Sequence, residues 1–118
     1  MLALERARRG TEQGPGVGMT QHEIAALFAQ MADLLELRGD NPFRIRAYRR
    51  AAQNLERYGG DLERLAAAGH LQELSGIGPD LANKIDEYLK TGAVAAFTRL
   101  TVAHGARLAE QNLLVTFG

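Results

Sequence analysis

Three groups of residues in this 118-residue chain have types and spacing suited to chemistry. Lys84 stands between Leu81 and Ile85, at the edge of an apolar-periodic run. An amine partly desolvated near other cations gives up its proton more readily, and the free amine attacks an aldehyde to form a Schiff base. The competing arrangement is a lysine that snorkels from a core boundary, which spacing alone favours. Arg44, Arg46, Arg49 and Arg50 fall within seven positions, with no lysine among them. Arginine forks match phosphate oxygens two at a time, which a lysine cannot do; the same arginines also make a plain solvated helix face. The third group is Gly76-Ile77-Gly78 followed by Pro79. Both glycines allow positive φ and close approach of a phosphate. Pro79 suits the first position of a helix, and the unpaired N–H groups of such a helix start form an anion site. An ordinary glycine-rich turn between packed helices is the alternative.

These groups need elements to position them. His70 to Leu74 reads as a short helix, and Pro79 to Lys90 as a longer one with Leu81, Ile85, Tyr88 and Leu89 on its inner stripe and Gly92 at its end. Ile77 points inward and pins the turn between them. Together they form the pattern of a helix-hairpin-helix, a device that holds a DNA backbone. The arginines lie on a helix from Phe43 to Tyr58, capped by Asn41 with Pro42 at its first position. Ile45, Tyr48, Ala51, Ala52 and Leu55 make its inner face; Arg46, Arg49, Arg50 and Arg57 lie outside. At about 100° per residue, Arg44 falls on the side of Tyr48 and Leu55, so it either snorkels outward or lines a pocket.

Upstream, Thr20 and Glu23 have the spacing of a capping box. Ile24, Leu27, Phe28, Met31, Leu34 and Leu35 then recur at three- and four-residue steps, an amphipathic helix closed by Gly39. Asp61 caps a short helix carrying Leu62 and Leu65, stopped by Gly69. Phe97 and Leu100 add one or two further turns. No strand alternation and no internal repeat occurs. The expected fold is therefore all-α, a bundle of about four main helices. We expect a tail at 1–18, disordered because of its glycines and Pro15, then a domain over 19–100. The segment 101–118 carries apolar residues without a clear partner pattern. Met19 is a candidate natural start.

Composition bounds the function. The chain has no cysteine, which excludes disulfide scaffolds and thiolate chemistry. His22, His70 and His104 show no ligand spacing, against a bound zinc ion. Formal net charge is zero, with 14 basic and 14 acidic residues, so any nucleic-acid site must arise from local arrangement. No apolar run reaches membrane-spanning length and the amino terminus lacks a signal-peptide core; a cytoplasmic protein without membrane partners is expected.

The run from Glu36 to Ala52, with NPFRIRAYRRAA at its centre, and the later GIGPDLANKIDEYLKTG resemble the amino-terminal domain of X-family DNA polymerases over about residues 20–100. The bacterial members are similar, and DNA polymerase beta is a familiar relative. The resemblance implies a compact helical domain that binds the 5′-phosphate side of gapped or single-stranded DNA, in DNA repair, alongside a polymerase or repair partner. In some members the domain also removes a 5′-deoxyribose phosphate by β-elimination, as a lyase. On this resemblance Lys84 would be the Schiff-base nucleophile, Tyr48 and Arg44 would belong to the phosphate pocket, and Phe43 would contact a base. The backbone carbonyls of Gln72, Leu74 and Ile77 would hold Na+ or K+ at the hairpin; no other cofactor is implied. Gly76, Gly78 and Arg49 complete the expected DNA-binding set. Gln72 and Asp80 stand where lyase members carry lysines, and Asn83 replaces an acid. These departures imply a less basic pocket and favour binding without chemistry. No polymerase palm is expected from this chain alone. A non-catalytic protein-interaction bundle is the remaining alternative.

Overall fold

The computed structural model describes the backbone of residues 13–117 and the side chains of residues 20–109. Among the described residues, five α-helices and one 3-10 turn follow each other: α1 (Gln13–Leu37), α2 (Pro42–Arg57), α3 (Leu62–Ala67), the 3-10 turn Leu71–Glu73, α4 (Pro79–Thr91) and α5 (Ala95–Phe117). The all-α expectation holds.

The core grows from the pairing of α1 with α2. Ile24, Phe28, Met31 and Leu35 of α1 are buried against Tyr48, Ala51 and Leu55 of α2. The rings of Phe28 and Tyr48 meet edge to face, with centroids 5.6 Å apart, the geometry that aromatic quadrupoles favour. The alanines at 51 and 52 let the helices approach closely. A short turn sets the antiparallel arrangement. Gly39 takes φ +74°, Asp40 N donates to Leu35 O and Gly39 N to Glu36 O, which is a Schellman closure of α1. Asn41 Oδ1 then accepts Phe43 N at 2.8 Å and starts α2 over Pro42.

At the opposite end, the buried Gln21 satisfies the last carbonyls of α2. Its Nε2 donates to Leu55 O and to Tyr58 O, at 2.5 and 2.6 Å. A buried amide with both protons engaged fixes the two helices in register. Asp61 caps α3 by accepting Arg64 N, as expected.

Three local expectations need correction. Residues 13–18 belong to α1 where a disordered tail was expected, and Thr20 and Glu23 lie inside the helix instead of capping it. Glu23 instead accepts the hydroxyl of Tyr88, 65 positions away, at 2.7 Å and ties α4 to α1. That bond, with partial burial, holds the Tyr88 phenol above its ordinary range. Residues 1–12 of the expected tail lie outside the described residues. The first arm of the hairpin is a single 3-10 turn, shorter than a helix from His70 to Leu74. The segment without a clear pattern, 101–117, continues α5 as one helix. Its first turns seat Leu100 in the core, while Val102 and Leu108 stay exposed, so the described part of the helix carries no continuous stripe.

Candidate functional site

The hairpin is anchored from below by apolar side chains. Leu71, Ile77, Leu81 and Ile85 are buried, and Ile77 points inward as its place between the glycines suggested. The two glycines differ. Gly76 has φ +81°, and a Cβ there would lie 2.9 Å from Asn54 Nδ2 and 3.1 Å from Cγ and Cδ of Arg50. Asn54 Nδ2 donates to Ser75 O at 2.6 Å. Helix α2 therefore clamps the turn from one side, and Gly76 is required by the fold. Gly78 has φ −89° and ψ −171°, ordinary extended backbone, and does not use the positive φ that glycine allows. A Cβ on Gly78 would meet nothing within 4 Å. It is the N-cap of α4, with Pro79 at the first helical position and no side-chain cap. The amides at this helix start have no side-chain acceptor from the cap and face an open approach.

One turn along α4, Lys84 Nζ donates to Asp80 Oδ1 at 2.8 Å. The lysine side chain is only 14% exposed and the aspartate 71%. The amine thus has the partial burial expected of it, but its partner is a carboxylate and not another cation. An amine in such a pair acts as an ammonium donor, whereas attack on a carbonyl requires the free amine. Gln72 and Asn83 share a shallow depression with Asp86, and no cationic side chain lines it. Of the hairpin carbonyls, that of Leu74 accepts Ile77 N at 3.1 Å, which uses one of its two lone pairs.

The structure brings Arg44 and Tyr48 together in a cleft of about 210 Å³, walled by α1, α2 and the start of α5. Arg38 and Arg99 also line it, over an apolar floor of Met31, Leu35 and Leu100. Tyr48 is 2% exposed, and Arg44 about half exposed. Arg44 thus lines a pocket, the second of its two sequence options. Lys84 is not among the residues of this cleft. Asp40 sits at the rim, where its Oδ2 accepts from both Nε and Nη2 of Arg38. Its carboxyl is held below the ordinary range, chiefly by the Asn41 amide N–H and then by Arg38, with a smaller pull from Arg44.

The other arginines separate by role. Arg49 donates to Asp33 at 2.9 Å and to Glu36 at 2.5 Å, both on α1. These bonds, with Asp33 first, hold its guanidinium charged more firmly than usual, and they make it a helix-pairing residue. Arg46 stacks over the ring of Phe43 at 4.7 Å, and Phe43 is 74% exposed. Sequence reasoning missed Asn54, Arg38 and Arg99. Only Arg99 had a legible signal, the four-residue step Arg99, Ala103, Arg107 on one helix face. Among the described residues, no group of three or more His, Asp or Glu side chains suits a metal ion, and no helix is long and apolar enough to cross a membrane.

The family model of a helix-hairpin-helix domain matches residues 19–94. Over 74 residues the chain is 38% identical to a protein of Bacillus subtilis (strain 168) described as DNA polymerase/3'-5' exonuclease PolX. That match takes in 63% of this chain and 12% of the relative, so the chain spans a small part of the relative's length. The matched residues include the clamped hairpin and the helices that seat it, and the chain belongs to the helix-hairpin-helix domain family, in the form carried by X-family DNA polymerases.

Proposed function

We propose that this chain is a DNA-binding module that grips the phosphate backbone or 5′ end of gapped or single-stranded DNA, with little base preference, in a repair-related setting. The observation that carries the reading is the contrast at the hairpin. Gly76 is glycine because the fold demands it, but nothing inside the protein demands glycine at 78. An open, side-chain-free helix start with uncapped amides fits close approach of a phosphate. The cleft of Arg44, Tyr48, Arg38 and Arg99 supplies cationic forks for a further phosphate. Phe43, exposed and backed by Arg46, offers a face on which a base can stack. Phosphate contacts of this kind position a strand without reading sequence. Na+ or K+ on the carbonyls of Gln72, Leu74 and Ile77 would add positive charge beside the hairpin phosphate. The protein works in the cytoplasm, with a polymerase or repair protein as its partner.

The same hairpin argues against chemistry at Lys84, because Asp80 occupies its amine. The test is incubation with gapped DNA bearing a 5′-deoxyribose phosphate, followed by borohydride, with Lys84→Ala in parallel. We expect retention of the DNA without a covalent adduct. An adduct that disappears in Lys84→Ala would make the chain a 5′-deoxyribose-phosphate lyase. Neither retention nor adduct would leave a protein-interaction bundle that keeps the fold alone.

A further inference from the structure

The cleft at Arg44 does not end there. Leu100 and Arg38 also line a second, smaller cavity with Leu34, Ala103, His104 and Arg107. His104 and Arg107 continue into a third, with Leu37 and Leu108. The three form one groove between the carboxyl-terminal half of α1 and helix α5. The acid at the rim, Asp40, is bonded to Arg38, and among the described residues no aspartate or glutamate lines any of the three. That is unusual for a chain with as many acids as bases. Arg99 and Arg107 are exposed and make no ion pair with the described residues, whereas Arg49 is fully engaged.

From this geometry we infer that the groove along α5 is a second phosphate track, on which Arg99 and Arg107 hold the strand as it leaves the Arg44–Tyr48 cleft. Arg99 and Arg107 are two four-residue steps apart on one helix face, about 12 Å at 1.5 Å per residue. Phosphates of one strand stand at least about 3.4 Å apart, the rise along a duplex axis, so this interval spans at most three or four of them. The apolar floor carries the sugar edges and the lengthwise stems of the arginines. The inference rests on the DNA-binding reading, but on residues beyond the family match, which ends at 94.

The test is the Arg99→Gln/Arg107→Gln double variant, measured by fluorescence anisotropy on a single-stranded 16-mer from about 50 mM to 1 M salt. Each lost phosphate contact on a single strand removes about 0.7 from the slope of log K against log salt. The double variant should therefore lose about 1.4 of slope. It should bind about 25-fold more weakly at 0.1 M salt and converge on the wild type near 1 M. Arg64→Gln, on an exposed residue of α3 away from the groove, should leave the curve unchanged, and urea unfolding should coincide for all three proteins. A double variant that keeps the wild-type slope, while the wild type binds, overturns the track and leaves the hairpin reading intact. A wild type with no salt-dependent binding overturns both.

Discussion

Replacing each hairpin glycine by alanine separates what the fold needs from what the ligand needs. In Gly76→Ala the residue must keep φ near +81°, which costs an L-residue about 1–2 kcal/mol. The new methyl also pushes on Asn54 Nδ2 and the Arg50 stem, at 2.9 and 3.1 Å. If Asn54 yields, its bond to Ser75 O goes too, about 0.5–1.5 kcal/mol. Reduced freedom of the unfolded chain returns about 0.4–1 kcal/mol. The net loss is about 0.5–3 kcal/mol, against the roughly 5–15 kcal/mol that holds a domain. In Gly78→Ala the backbone is already extended and the methyl enters open space. The gain in chain stiffness and the poorer N-cap roughly cancel, so stability should move by less than about 0.5 kcal/mol. Binding of gapped DNA should nevertheless fall at least about tenfold, or about 1.4 kcal/mol, because the methyl occupies the approach of the phosphate. Urea unfolding gives the stabilities and anisotropy gives the affinities. Equal destabilisation by both changes, or wild-type binding by Gly78→Ala, would refute the reasoning.

Other expectations follow from single contacts. Gln21→Met leaves the Tyr58 carbonyl unpaired in a half-buried place and should cost about 1–3 kcal/mol in urea unfolding; a neutral result would mean that water replaces the amide. Asp80→Asn removes the partner of Lys84 and a negative charge at the hairpin. Stability should change by less than about 0.5 kcal/mol, and DNA affinity at 0.1 M salt should rise about fivefold, by the value of one phosphate contact. Unchanged affinity would place the DNA away from α4. Asp40 has a lowered carboxyl pKa in the folded protein, so its stabilising share is fully present above its unfolded value near 3.9 and is lost as pH falls through the folded value below that. Denaturation midpoints of wild type and Asp40→Asn should therefore converge on acidification below about pH 4; parallel curves down to pH 2 would exclude this role.

The hairpin, the two long inner stripes and the caps at Asn41 and Asp61 were legible because each is local: a period, a glycine, a proline, a capping side chain. The side of α2 on which Arg44 lies was legible for the same reason. What escaped was pairing between distant elements. Arg49 shares the outer face of α2 with Arg46, and only the packed helices reveal that Asp33 and Glu36 of α1 stand opposite it. The Asn54–Ser75 clamp joins positions 21 apart and leaves no periodic trace. The glycines before Thr20 suggested a break, but helix α1 runs through Gly14, Gly16 and Gly18, and each costs only about 1 kcal/mol relative to alanine. Helix α5 hid because, among its described side chains, only those of the first turns are packed. Among the site residues, the sequence could propose that Lys84 is partly buried, but not that Asp80 holds its amine.

The most direct measurement is the salt dependence of wild-type binding to gapped DNA carrying a 5′-phosphate. With Arg44, Arg99 and Arg107 each meeting one phosphate, while Asp40 holds Arg38, log K should fall with log salt at a slope of about −2 to −3. A slope near zero, or no binding at low salt, would contradict the account: the basic groove and the open hairpin would then serve something other than a nucleic-acid backbone.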